Sequence, residues 1–167
     1  MGSTAHASRP VLEAALAAEG AALVTLDGAP VDVVVHLPEP VVGDIALLDT
    51  DEAAWDAAAE APARAFLATV QAAHPSLAAT RGRLVVVLPR AVLTGSAGLV
   101  AATTGWGAVL ALARSAGRRW AAGRIRVTTV LHHGGADDTA VTDGVVLLAR
   151  SSTRFDGAIL EVGGGPS

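Results

Sequence analysis

Short, nearly continuous apolar runs alternate along the chain with longer Ala-rich stretches, and this alternation predicts the elements. The first stretch, "RPVLEAALAAEG" (9–20), reads as a helix: Ser8 can cap it, Pro10 suits its first turn and Gly20 its C-terminal exit. Two apolar runs come next, "AALVTL" (21–26) and "VDVVVHL" (31–37), with only "DGAP" between them. A parallel pair needs a crossover of a dozen or more residues, so this spacing predicts an antiparallel edge hairpin. A long Ala-rich helix is expected from "DTDEAAW" at 49–55 through "HPSLAA" at 74–79, acidic at its start as the helix dipole favours. Pro62 lies inside it and predicts a kink or break. The fully apolar strand "GRLVVVL" (82–88), a helix around 100–119, the strand "RIRVTTVL" (124–131), a helix over 139–151 and the strand "GAILEVGG" (157–164) complete the order. From residue 31 the succession is βαβαβαβ, which predicts an α/β domain with an open, mostly parallel sheet and helices on both faces.

Composition adds a constraint. Of 167 residues, 51% are hydrophobic and 17% charged, more apolar material than a monomer of this size buries, so part of it is expected to face another chain. The net charge of −4 and the lack of a basic run exclude a nucleic-acid surface. Cysteine is absent, which excludes disulfides and thiolate chemistry. No apolar run reaches the roughly 18 residues of a membrane span, and no signal sequence opens the chain. A cytoplasmic protein is expected. All basic residues are arginine, and lysine, tyrosine and asparagine are missing, a usage that suggests a GC-rich, actinobacterial genome. Residues 1–9 are expected to be a disordered N-terminus, with a single domain over 10–167.

Several blocks in order carry a resemblance: "VDVVVHL", the helix containing Trp55, "GRLVVVL", "VLALARSAGRRWAAGRIRVTTV" and the ending "GAILEVGGG". Over roughly 135 residues they resemble the short-chain dehydrogenase/reductase family, above all its β-ketoacyl-carrier-protein reductases. The resemblance implies a truncated Rossmann-like fold, since the family's first strand and the strand–helix segment between Asp27 and Val31 have no counterpart. It also implies lost chemistry. The Gly-rich turn that would hold a pyrophosphate corresponds to "ASRPV" (7–11), so no nicotinamide cofactor is expected to be bound by this chain alone. The family's asparagine falls on Pro62, its serine on Pro89, its tyrosine on Ala102 and its lysine on Trp106. In this family the two helices matching 52–76 and 98–120 form a four-helix interface with a second subunit. Trp55, Phe66, Trp106, Ala108 and Leu112 are therefore the expected interface residues. The helix supports that role by itself, because Arg114 is its one charge between Gly98 and Gly117.

The expected function is thus a non-catalytic, short-chain-dehydrogenase-like subunit that pairs with and supports an active ketoreductase, NAD(P)H residing in that partner. The partner would be a full-length paralogue, or a second copy of this chain. A rival reading uses other residues. His36, His132 and His133 follow strands expected to end at one sheet edge, and Asp44 and Glu39 lie close after His36. An imidazole–carboxylate pair there would make a cofactor-independent isomerase, cyclase or dehydratase. A homodimer that binds a small ligand without chemistry is the third. The aspartates of "GGADD" (134–138) read as a turn and helix cap and not as metal ligands, and no metal site is expected.

Overall fold

The computed structural model describes residues 9–39, 47–133, 138–150 and 157–163, with nothing said of the Asp138 side chain. Helix α1 (Arg9–Ala18) opens it, so Arg9 belongs to the helix and not to the N-terminal tail. Strand β1 (Val33–His36) comes next, then α2 (Glu52–Trp55), α3 (Ala61–Thr80), β2 (Arg83–Pro89), α4 (Ala91–Thr94), α5 (Val100–Trp120), β3 (Arg126–His132), α6 (Asp138–Arg150) and β4 (Ile159–Val162). The four strands form one sheet in the order β1-β2-β3-β4, every pair parallel. The expected α/β architecture with helices on both faces is present.

Alternate residues of each strand feed two cores. One layer packs α3 and α5 on the sheet through Phe66, Leu77, Trp106 and Val109 against Leu84, Val86, Leu88 and Leu131. The other packs α1 and α6 through Leu12, Val141, Val145 and Leu148 against Val85, Val87 and Val130. β2 is buried at all seven positions, as its unbroken apolar run requires in a strand covered on both faces.

Pro62 produces something more local than the expected break. A proline has no N–H for residue 58 and its ring crowds that carbonyl. The chain answers with a π-helical segment, Asp56–Glu60, in which Ala61 N–H reaches back five residues to the Asp56 carbonyl. Asp51 caps α2 by accepting from Ala54 N–H, and Arg64 on α3 bridges back to Asp56 and Glu60. The carbonyls of Ala58 and Ala59 lie against Gly105 of α5, where a β-carbon would stand only 2.6 Å and 2.8 Å from them. The π-turn and the missing side chain at Gly105 together let the two helices meet backbone to backbone.

The edge hairpin is not formed, which corrects that part of the expectation. Residues 21–26 are in no strand, and Leu23 and Val24 are 52% and 66% exposed. The cause is the turn over residues 27–30 and the anchoring of Val31. Asp27 accepts from Ala29 N–H to form a tight turn, Gly28 takes a positive φ of 97°, and Pro30 has no N–H to give a ladder. Val31 is then held by α3: its N–H donates to the Ser76 carbonyl, and its own carbonyl accepts from Thr80 Oγ1. With both backbone groups of Val31 committed to a helix, the first rung of a hairpin cannot form.

Candidate functional site

A cleft of about 1370 Å³ runs along the free edge of β1. α1 forms one wall, residues 20–26 another, and the segment from Ala54 to Thr69 with the start of α5 closes the far side. Val33–His36 provide the floor, and Leu37, Pro38 and Glu39 continue it past the end of the strand. Open α/β sheets bind ligands beyond the carboxyl ends of their strands, so this is the place to seek chemistry.

His36 sits there and is mostly buried. Its ring meets Phe66 edge-on at 4.8 Å between centroids, and Nδ1 lies 3.3 Å from Thr69 Oγ1. Burial, and secondarily the Arg9 charge, hold its pKa down at about 4. It is neutral at pH 7 and a weak base, far from the near-neutral pKa that suits proton abstraction. His132 belongs elsewhere. In register His36 pairs with Val86 while His132 pairs with Pro89, so the two backbones lie roughly 14 Å apart across two strand spacings and three residue steps. They also face opposite layers: His36 shares its face with Val34, and His132 shares its face with Val130. His132 is buried, with Nδ1 3.4 Å from the His133 carbonyl. The expected meeting of His36 with His132 and His133 does not occur, because strand register and pleat keep them apart. Asp44 and Asp137 lie outside the described residues.

His133 finds a different partner. Its Nε2 lies 3.6 Å from Glu161 on β4, whose carboxylate also accepts from Arg90 Nε at 3.1 Å. The ends of β2, β3 and β4 thus converge in an Arg90–Glu161–His133 cluster that sequence reasoning missed. The signal available was the lone carboxylate inside the apolar run 158–162. All three groups are partly exposed, and the guanidinium already holds the carboxylate, so the arrangement reads as a surface ion pair across strand ends. Among the described residues, no group of three or more potential metal ligands comes together.

The positions that the resemblance singled out fall in two places. Pro62 and Ala102 line the cleft. Pro89 ends the buried β2, and Trp106 is 1% exposed within the α3–α5 core, its Nε1 without a hydrogen-bond partner among the described residues. Two expected interface residues are corrected by the same burial. Phe66 and Trp106 fill this chain's own core, because each points inward from its helix onto the sheet. Trp55, Ala108 and Leu112 are half-buried and stay available to a neighbour.

The charged groups on the cleft lining are Arg9, Glu13, Asp32 and Glu39, beside the neutral His36. A dinucleotide's pyrophosphate would meet three carboxylates and one guanidinium there. Pro62 and Ala102 themselves bring no hydrogen-bonding or proton-donating side chain to the cleft. The described lining does not fit a nicotinamide cofactor.

No protein-family model and no curated protein sequence matches the chain. Solved structures do. An oxidoreductase of the short-chain dehydrogenase/reductase family from Brucella ovis, in complex with a partially ordered NAD, superposes with a TM-score of 0.69 at 17% identity. That match covers 81% of this chain and 66% of the other, so this chain spans just under two thirds of that protein's length. The structure of a candidate betaketoacyl-ACP reductase superposes with a TM-score of 0.73 at 18% identity, covering 95% and 74%. The fold is that of short-chain dehydrogenases in truncated form. Among the described residues no helix is long and apolar enough to cross a membrane.

Proposed function

We propose that this chain is a non-catalytic, short-chain-dehydrogenase-like subunit that pairs with an active NAD(P)H-dependent ketoreductase and supports it. One observation carries the reading: the cleft where this fold does its chemistry is kept, yet its wall offers Pro62 and Ala102 in place of hydrogen-bonding and proton-donating side chains. The pairing surface is the outward side of α3 and α5, which pack against each other. It presents Arg64, Leu67, Gln71, Thr104, Ala108 and Ala111. On α5 the side chains are short, Thr104, Ala108 and Ala111, which would let a helix of a second subunit approach closely, while α3 presents the longer Arg64, Leu67 and Gln71. Leu67, 44% exposed, gives it an apolar centre.

The test is reconstitution. The chain is co-expressed with a full-length reductase from the same genome, and the complex is measured by light scattering and by ketone-dependent NADPH oxidation. A stable hetero-oligomer whose turnover or thermal stability exceeds that of the reductase alone is the expected result. Ketone reduction by this chain alone would overturn the proposal, as would two proteins that elute separately with the reductase unaltered.

A further inference from the structure

We propose that the free edge of β1 receives an extended apolar strand from a second polypeptide, inserted between β1 and residues 21–26. The backbone of β1 states the need. Arg83 N–H donates to the Asp32 carbonyl, so the ladder to β2 uses Asp32, Val34 and His36. By the alternation of a parallel ladder, the N–H and C=O groups of Val33, Val35 and Leu37 point away from β2 into the cleft. β1 pairs with no other strand among the described residues.

Its side chains are those of an interior strand. Val33 and Val35 pack on the α1–α6 core, and Val34 on the α3–α5 core, so both faces are apolar and covered. Sheet edges are ordinarily blunted by a lysine, a proline or a bulge, and Val33–His36 carry none. Across the same cleft stands a second unpaired run. Residues 22–26 make no backbone hydrogen bond among the described residues, yet Leu23 and Val24 are half or more exposed to that space. Among the described residues, two apolar runs without a further strand partner thus line one groove.

Size and charge narrow the occupant. A five-residue strand is ~17 Å long, takes ~4.8 Å of ladder and a layer ~10 Å deep, and so fills roughly 800 Å³. The cleft of about 1370 Å³ holds it with room for side chains reaching the two helix layers. The described rim carries Glu13, Asp32 and Glu39 against Arg9, which favours basic residues flanking the apolar segment. The mode is strand addition: main-chain bonds supply affinity, and apolar pockets on both sides supply selectivity.

The probe is an acetylated peptide amide, Lys-Val-Ile-Val-Val-Val-Arg, titrated into the whole protein and read by hydrogen exchange with mass spectrometry. Saturable binding should slow exchange at least tenfold in both 22–26 and 33–37. The same peptide with proline at its central valine should give no protection. In the protein, Val35→Pro removes one cleft-facing N–H while sparing the β2 ladder, and should abolish protection without lowering Tm by more than a few degrees. If that variant does not melt cooperatively, Val24→Pro on the opposite wall, where no ladder exists, carries the comparison. Unchanged exchange at either wall would overturn the proposal. Equal binding of the proline peptide would overturn it too, and mark the cleft as a pocket for small apolar molecules. The helix-face variant Ala108→Arg should bind the peptide normally, which separates this site from the proposed pairing surface.

Discussion

Two glycines two residues apart on α5 should respond to the same substitution with opposite signs. At Gly105 an added β-carbon would lie 2.6 Å from the Ala58 carbonyl oxygen, 2.8 Å from that of Ala59 and 3.2 Å from Ala59 Cα. All three are backbone atoms of the π-turn, so no side chain can rotate away and the helices must separate. Overpacking of this kind costs about 1–3 kcal/mol. Alanine in place of glycine in a helix interior returns about 1 kcal/mol through propensity. Gly105→Ala should therefore destabilise by up to about 2 kcal/mol. At Gly107 an added β-carbon meets nothing within 4 Å, and the same substitution should stabilise by up to about 1 kcal/mol. Urea denaturation of the chain alone measures both, with m unchanged. For a protein of this size the two variants should differ in Tm by roughly 2–12 °C, at ~2–4 °C per kcal/mol. If Gly105→Ala proves as stable as Gly107→Ala, the backbone contact between α5 and the π-turn is not what fixes this crossing.

Three further outcomes are expected of the site. His36 has a folded pKa of about 4 against 6.5 for the free side chain, so the folded state resists its protonation. Stability is complete above pH 6.5, falls as pH drops from 6.5 towards 4, and levels off below; the full loss is about 3 kcal/mol at 1.36 kcal/mol per pH unit. His36→Gln should flatten that slope in urea melts taken across the range, and parallel slopes for the two proteins would refute it. Calorimetry with NADPH and NADH should show no micromolar binding to the chain alone, because the described cleft lining sets three carboxylates against one guanidinium. Ala108→Arg places a charge on the half-buried outward side of α5 and should abolish the hetero-oligomer in size-exclusion chromatography, whereas the exposed Arg150→Ala should leave it intact.

What sequence can and cannot reveal divides along a physical line. β2, α5, β3 and α6 are legible because each is a long run whose neighbours are dictated by burial on both faces, as the unbroken apolar stretch 84–88 illustrates. The hairpin misleads because "ALVTL" has strand composition, whereas a strand also needs a partner's backbone. Val31, the residue that would begin the pairing, is held by Ser76 and Thr80 some forty-five residues away, a long-range bond that local spacing cannot announce. The histidines mislead for a related reason. Two strand ends at one sheet edge read as one place, yet register puts His132 three steps beyond His36, and the pleat turns them to opposite layers. Trp106 carries the same lesson in the other direction. A bulky ring where the resembled family keeps a lysine reads as a surface anchor, but the inward side of α5 takes it into the core, where it packs with Phe66 and Leu84. The ring fills volume in the α3–α5 core that a smaller side chain would leave empty. Removing that ring, by Trp106→Lys, should therefore cost stability of the order of 3–5 kcal/mol, as a large-to-small core change does, and should restore no reductase activity. A soluble, cooperatively folding Trp106→Lys protein that reduced a ketone with NADPH would show that the fold had kept its chemistry after all.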